Sequence, residues 1–395
     1  MREDWEIKKL KTIGRVQTGT TPPTKDVLNY GDFISFVKPA HFGKDGEIDS
    51  KESMLSEIGL SKGRLFEANS VLMVCIGATI GKTGFAKISV SSNQQINALT
   101  PNDDCSYKFL YYGMISPDFQ KEVLKVGTSS QATLPIINKS KWENLTLPIP
   151  PLSEQKQIVE ILDQAFSGID QAKANIEKNI ANAKELFQSK LNEIFSQKGE
   201  GWQEKTLGEV CENLDNRRIP ITKSKRIEGD IPYYGASGIV DYVADYLFDQ
   251  DLLLVSEDGA NLLARTYPIA FSISGKNWVN NHAHVLKFDN MISQIFIEYY
   301  LNSIKLDDYI SGMAQPKLNQ KKLNSIRVPF PTIQKQEGII NLLENLSEHK
   351  SNIINRYEKK ISSLEELKKS ILQKAFAGEL TLTSQVSIEK LCLNN

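Results

Sequence analysis

Cysteine is scarce in this chain of 395 residues: Cys75, Cys105, Cys211 and Cys392 lie far apart, with no CxxC pair. That spacing suggests neither a zinc ribbon nor a disulfide framework. Long apolar runs are missing as well. The longest, around Val71 to Ile80, has the length of a core strand and falls short of the ~20 residues a membrane helix needs. The opening Met1-Arg2-Glu3-Asp4-Trp5 carries no apolar stretch, so no secretory signal is expected and a cytoplasmic protein with reduced thiols is. Neither sign of charge dominates: 47 basic and 48 acidic residues leave a net charge of −1. By itself this argues against a protein that clamps nucleic acid by bulk positive charge. With 40% apolar and 24% charged residues the chain is folded, and its length suits two or three domains.

Catalytic signatures are also lacking. There is no GxSxG, no HExxH, no GxGxxG with a following acid, and no Asn/Asp-Pro-Pro-aromatic tetrapeptide of the amino-methyltransferases. Gly77-Ala-Thr-Ile-Gly-Lys-Thr83 resembles a phosphate-binding loop but is one residue short between its glycines. A glycine-flanked turn between two strands, presenting Lys82 and Thr83, fits it better. His282 and His284 stand two apart on one strand without a third ligand nearby, so no metal site is expected.

What the chain does have is a repeat of itself. LPIPPLSEQKQIVEIL at 147–162 returns as VPFPTIQKQEGIINLL at 328–343, aligning Pro148, Pro150, Gln155, Ile158 and Leu162 with Pro329, Pro331, Gln336, Ile339 and Leu343. EKNIANAKELFQSKLNEIF at 177–195 matches EKKISSLEELKKSILQKAF at 358–376 at the same offset, and Trp5 matches Trp202. The plan is therefore globule, helix, globule, helix. Residues 1–151 and 201–333 form the globules, 152–200 and 334–380 the helical segments, and 381–395 a C-terminal tail.

The helical segments carry a seam of alternating four- and three-residue steps, as in a coiled coil. Its positions include Ile158, Leu162, Ile169, Ile176 and Ile180, then Ile339, Leu343, Leu346, Tyr357, Ile361 and Leu364, with Lys350 breaking the second copy. Lys198-Gly199-Glu200-Gly201 and Gly378 are the expected stops. A helix of about 45 residues is ~65–70 Å long and has too few apolar positions to stand alone. The two copies are expected to pack on each other, antiparallel by preference. Each globule alternates β-rich runs (Val71–Ile76, Phe85–Val90, Leu252–Val255, Ile269–Ile273) with helical stretches at Tyr107–Met114 and Ile295–Leu301, which reads as a mixed α/β (α+β) fold.

Candidate ligand-reading residues emerge where the globules correspond. Asn93-Gln94-Gln95-Ile96-Asn97 aligns with Asn280-Asn281-His282-Ala283-His284. The shared property is hydrogen-bonding side chains at one strand, open to a bland reading as surface polarity and to a second as base readout. Gly127-Thr128-Ser129-Ser130-Gln131 and Gly312-Met313-Ala314-Gln315 precede the two helices at equivalent places, as fold-level turns or as shared binding loops. Arg217, Arg218, Lys223, Lys225 and Arg226 put five positive charges into ten residues without an acid, a solvated loop or a phosphate contact.

Taken together, the duplicated proline-rich helix lead-ins, the paired long helices, the opening tryptophans and the phrases YYGASGIVDY (233–242), SGMAQPKLNQKKL (311–323), GATIGKTGFA and SSNQQINAL resemble the specificity subunit of Type I restriction-modification systems. The resemblance covers essentially the whole chain. It implies two target recognition domains, each reading half of a bipartite, asymmetric site in double-stranded DNA. The antiparallel helices would set the spacing and dock two modification subunits. It also implies a non-catalytic chain without a cofactor of its own: S-adenosylmethionine, ATP and Mg would belong to the modification and restriction subunits. Under that reading Lys82, Thr83, Gln94, Gln95 and Gln131 are the base- or phosphate-contacting candidates of the first globule. Arg217, Arg218, Lys225, Asn281, His282, Gln315 and Lys317 are those of the second. A two-lobed protein-interaction scaffold without nucleic acid is the rival. By module the charges are 18 basic to 16 acidic over 1–151 and 14 to 16 over 201–333, so DNA binding must rest on local clusters and on partners.

Overall fold

The computed structural model describes residues 5–43, 46–48, 52–128, 134–196, 201–312 and 315–380. The chain divides into two compact units, residues 1–176 with 358–395, and residues 177–357. Each is built on a four-stranded antiparallel sheet.

In the first unit the sheet runs in the order Gly14–Thr18, Ile96–Pro101, Ser70–Val74, Thr83–Ala86. Ser70–Val74 lies between two neighbours and is buried at every position, which is why it reads as an unbroken apolar run without alternation. Leu72 and Val74 pack with Val37, Phe42, Phe66 and Ile96. The helix Tyr107–Ile115 contributes the fully buried Phe109, Leu110 and Met114. A smaller sheet orders Met54–Leu55, Tyr30–Val37 and Ser91–Ser92, the last pair parallel. The expected strand Phe85–Val90 is shorter, because Lys87, Ile88 and Ser89 turn out into solvent after Ala86.

The second unit repeats the plan. Its main sheet orders Glu212–Asn213, Ala283–Lys287, Leu252–Ser256 and Ala270–Ile273. Its smaller sheet orders Gly238–Val243, Ile231–Gly235, Lys276–Val279 and Phe248–Asp249, again with one parallel pair, Tyr233↔Trp278. The helix Met291–Ser303 packs Phe296, Ile297 and Leu301 into the core.

In both units a two-stranded ribbon leads into a long helix. Glu6–Lys9 pairs with Thr146–Ile149, and Gln203–Thr206 with Arg327–Phe330. The repeated glutamines lock this junction. Gln155 is fully buried and donates to the carbonyls of Pro150 (2.9 Å) and Asp104 (3.1 Å) while accepting from the Ser106 amide (2.8 Å). Gln336, also buried, donates to the Pro331 carbonyl (2.9 Å) and accepts from the Ser293 hydroxyl (2.9 Å).

The long helices are Leu152–Ser196 and Ile333–Phe376. The second ends on Gly378 at φ +76°, with the Gly378 amide donating to Ala375 and the Glu379 amide to Lys374, the paired bonds of a Schellman stop. Of the stop expected for the first helix, only Gly201 lies among the described residues, as does none of the 381–395 tail. Inside each unit the two helices run antiparallel. In the first, Lys173 pairs with Glu365 (2.9 Å) and Asp170 with Lys368 (3.4 Å), so rising numbers on one helix meet falling numbers on the other. In the second, Leu191 and Phe195 share a core with Ile340 and Leu343, and Lys350 sits 4.0 Å from the Phe187 ring centroid. Ile158, Leu162, Ile169, Ile176, Leu343 and Leu364 are buried, whereas Ile180, Ile339, Leu346, Tyr357 and Ile361 are half-buried, as a single stripe between two helices allows. Lys350 keeps its place in that stripe by setting its ammonium over the Phe187 ring.

Candidate nucleic-acid interface

At one end of each main sheet three loops meet, and the bonds that join them are duplicated. In the second unit the Glu257 amide donates to the His282 carbonyl (2.9 Å), the Gly259 amide to Pro316 (3.1 Å) and the Leu318 amide to Glu257 (2.8 Å). In the first, Cys75 donates to Gln95 (2.7 Å), Gly77 to Pro135 (3.0 Å) and Ile137 to Cys75 (2.8 Å). Each cluster also contains an Asx turn: Asn93 Oδ1 accepts from the Gln95 amide, Asn280 Oδ1 from that of His282. Gly77 and Gly259 occupy the left-handed region at φ +104° and +106°, which favours glycine at both. The Gly77–Thr83 segment passes from one strand straight into the next, without the helix a phosphate-binding loop requires.

On this shared frame the two units place different chemistry. Behind the loops of the first unit the groups are neutral: the Thr18 hydroxyl donates to Asn97 Oδ1 (2.7 Å), and burial pushes the Cys75 thiol up to about 12. At the matching places the second unit carries Asp215, His284 and Glu257. His284 is completely buried, with Nδ1 2.6 Å from Asp215 and Nε2 2.7 Å from the Leu318 carbonyl. Both partners accept, so both ring nitrogens donate.

Arg218 completes this network. It donates to Glu257 (2.6 Å), the Ala283 carbonyl (2.7 Å) and the Asp215 carbonyl (3.1 Å). Burial alone would raise the Asp215 carboxyl, but the hydrogen bond and charge of His284, the Val285 amide and Arg218 outweigh it and hold it below the ordinary range. Glu257 is likewise held down, against burial, by Arg218, His284 and Lys317. Asp215, Glu257 and His284 lie close enough together to hold a metal ion. That space already has a cation, since Arg218 bonds both carboxylate residues and the His284 nitrogens are both engaged.

A family model, the Type I restriction modification DNA specificity domain, matches twice, over residues 2–182 and 199–363. The chain belongs to that specificity family. A Type I restriction enzyme specificity subunit of Methanocaldococcus jannaschii is 24% identical over 422 residues, covering 96% of this chain and 94% of that one. A putative specificity subunit of Haemophilus influenzae is 35% identical over 161 residues, where the alignment spans 40% of this chain and only 41% of the relative. Two solved structures share the fold. A chain of a type I R-M system studied for complex assembly and conformational transition gives a TM-score of 0.78 at 17% identity, over 96% of this chain and 99% of that chain. The HsdS subunit of Thermoanaerobacter tengcongensis gives 0.59 at 19%, over 96% and 98%.

In this specificity subunit the residues singled out from the sequence separate into groups. Asn281, His282, Gln315 and Lys317 are exposed on the three-loop cluster of the second unit. Lys82 and Gln94 are exposed on that of the first, Gln94 accepting from the Thr21 hydroxyl. Gln95 is half-buried and turned inward, accepting from Asn93 Nδ2 (2.8 Å). Arg217 and Lys225 are exposed on two short 3₁₀ turns, Arg217 5.0 Å from the Phe248 ring centroid. Gln131 lies outside the described residues. Two expectations are corrected. The Thr83 side chain is buried and its hydroxyl donates to the Gly81 carbonyl, so it faces no ligand. Arg218 is only 12% exposed at its side chain and is consumed by the internal network. Arg226 is similarly spent on Asp241 and the Tyr233 ring, which leaves the basic run less available to phosphate than its composition suggests. Sequence reasoning missed Asp215, Glu257 and Asp258. The only signal for the last two was the non-identity of aligned loop positions, Cys75-Ile76 against Glu257-Asp258.

Proposed function

We propose that each unit reads one half of a bipartite DNA site through its three-loop cluster, and that the long helices set the spacing and dock two modification subunits. The observation that carries this reading is the duplicated loop frame with unlike side chains. A common frame presents both clusters to a duplex in the same way, while Lys82 and Gln94 in one unit and Asn281, His282, Gln315 and Lys317 in the other address different bases or phosphates. The chain acts in the cytoplasm without catalysis of its own. Methyl transfer with S-adenosylmethionine, and ATP- and Mg-dependent cleavage, take place in the modification and restriction subunits. Near-neutral charge fits a reader whose electrostatic grip on DNA is completed by those partners.

The test is methylation-site sequencing of a host carrying this subunit with its modification subunit. Paired alanine substitution of Lys82 and Gln94 is expected to relax one half-site only, and that of Asn281 and Lys317 the other, each base contact contributing about 1–3 kcal/mol. Relaxation of both half-sites by either pair, or of neither, removes the reading.

A further inference from the structure

In the second unit one side chain of the loop cluster is anchored on every side but one. His282 donates its amide to Asn280 Oδ1 (2.8 Å) and accepts at its carbonyl from the Glu257 amide (2.9 Å). Its ring Nδ1 lies 2.9 and 3.0 Å from the two oxygens of Asp258, a residue of the adjacent loop. The side chain nevertheless stays 52% exposed, and Nε2 has no partner among the described residues. A buried structural histidine looks different: His284, two residues on, is completely buried with both nitrogens engaged.

The acceptor character of Asp258 decides what that free nitrogen offers. A carboxylate only accepts, so Nδ1 must carry the proton, and Nε2 of the neutral ring is left with its lone pair. The neighbouring cation does not compete for this carboxylate, because Lys317 Nζ is directed to Glu257 (3.2 Å). In the first unit the frame position of Asp258 is Ile76, which offers only its carbonyl, at 3.5 Å from Gln95 Nε2. The fixed ring is therefore particular to the second unit.

We propose that Asp258 is a positioning residue for DNA recognition: it holds His282 so that Nε2 meets the base edge as an acceptor. The partner is an exocyclic amine, adenine N6 or cytosine N4, while guanine O6 and thymine O4, themselves acceptors, are refused. This rests on the reading of the second cluster as a DNA interface, and it names the class of base that one position takes.

The experiment uses the complete subunit with its modification subunit at pH 8.5, scoring methylation on a library randomised over the second half-site. Asp258→Asn offers both an acceptor and a donor to Nδ1, so either tautomer is held and Nε2 becomes acceptor or donor. Discrimination at one position is expected to fall about 5- to 100-fold, the position accepting further base pairs, the reversed pair among them, beside the one that the unaltered protein takes. The first half-site stays unchanged, and Asp258→Glu retains the original base. His282→Gln serves as the second variant and is expected to alter the same position. If His282→Gln alters no position, the reading of this cluster as an interface fails. If it alters one but Asp258→Asn lowers methylation of all sites uniformly, or leaves base choice intact, the positioning role alone is overturned.

Discussion

Replacing Arg218 with methionine keeps an unbranched side-chain stem and removes the charge and donors. Three bonds are lost, to Glu257 (2.6 Å), the Ala283 carbonyl (2.7 Å) and the Asp215 carbonyl (3.1 Å), and two carboxylates that are almost enclosed lose their nearest guanidinium. Breaking a buried pair from one side costs about 3–5 kcal/mol, because the abandoned charge stays desolvated. His284 on Asp215 and Lys317 on Glu257 remain, which places the expected loss near the lower end, about 3 kcal/mol or roughly 150-fold in local opening. Hydrogen exchange of the paired strands Leu252–Ser256 and Ala283–Lys287 reads this directly, with Ser70–Val74 of the first unit as the internal control. The effect also has a pH signature. Asp215 and Glu257 are held below their ordinary values, so their contribution is complete above those values and is lost as pH falls through the depressed native ones. The stability gap between the two proteins, followed by urea unfolding, should thus be widest near neutrality and close in acid. Unchanged protection of the two strands, together with impaired methylation at the second half-site, would refute the argument and return Arg218 to the DNA-contacting residues.

Two further outcomes follow from the helices. Gln155→Leu strands two carbonyls and one amide and should cost about 2–4 kcal/mol in chemical unfolding, more than Gln336→Leu, which breaks two bonds; the reverse order would contradict the bonding described. Lys350→Leu gives up the contact with Phe187 and should still stabilise the helix pair by about 0.5–1 kcal/mol, since burial and then Lys184 depress the Lys350 ammonium. The charged form is the disfavoured one, so the advantage of the leucine variant should shrink as pH rises toward the lysine range, and an advantage that grows with pH would count against it.

The long helices and the mixed α/β units were legible because each is specified by local chemistry: a seam of fixed period, proline before, glycine after. Their antiparallel sense is not specified in that way and rests partly on the family resemblance. Even the break at Lys350 was visible, although only the structure shows the lysine filling the seam over Phe187. The candidate site was legible as a place and not as an assignment. The alignment of Asn93–Asn97 with Asn280–His284 located the loop that lines both clusters, and its first asparagine proves to be the Asx-turn residue in each. Composition misjudged Arg218 and Thr83, because whether a polar side chain faces solvent or a buried partner depends on strands that lie far away in sequence. Arg218 meets Glu257 from 39 residues off, and His284 meets Asp215 from 69.

The same physics accounts for the uneven strength of the repeat. In the helical segments the seam takes apolar residues of suitable size at all but the Lys350 position, and the junction needs a glutamine that can bond in two directions. In the loop clusters the joining bonds are made by backbone groups, Cys75 to Gln95 and Glu257 to His282 among them, and such bonds do not depend on which side chain each residue carries. Only the asparagine of the turn and the glycine at positive φ contribute through their own chemistry. A frame held in this way can exchange a neutral Thr18–Asn97 pair for an ionic Asp215–His284 pair, or Ile76 for Asp258, without losing its geometry. Sequence similarity between the globules therefore fades at the positions where a reader of two different half-sites must differ, and persists where both copies must fold alike.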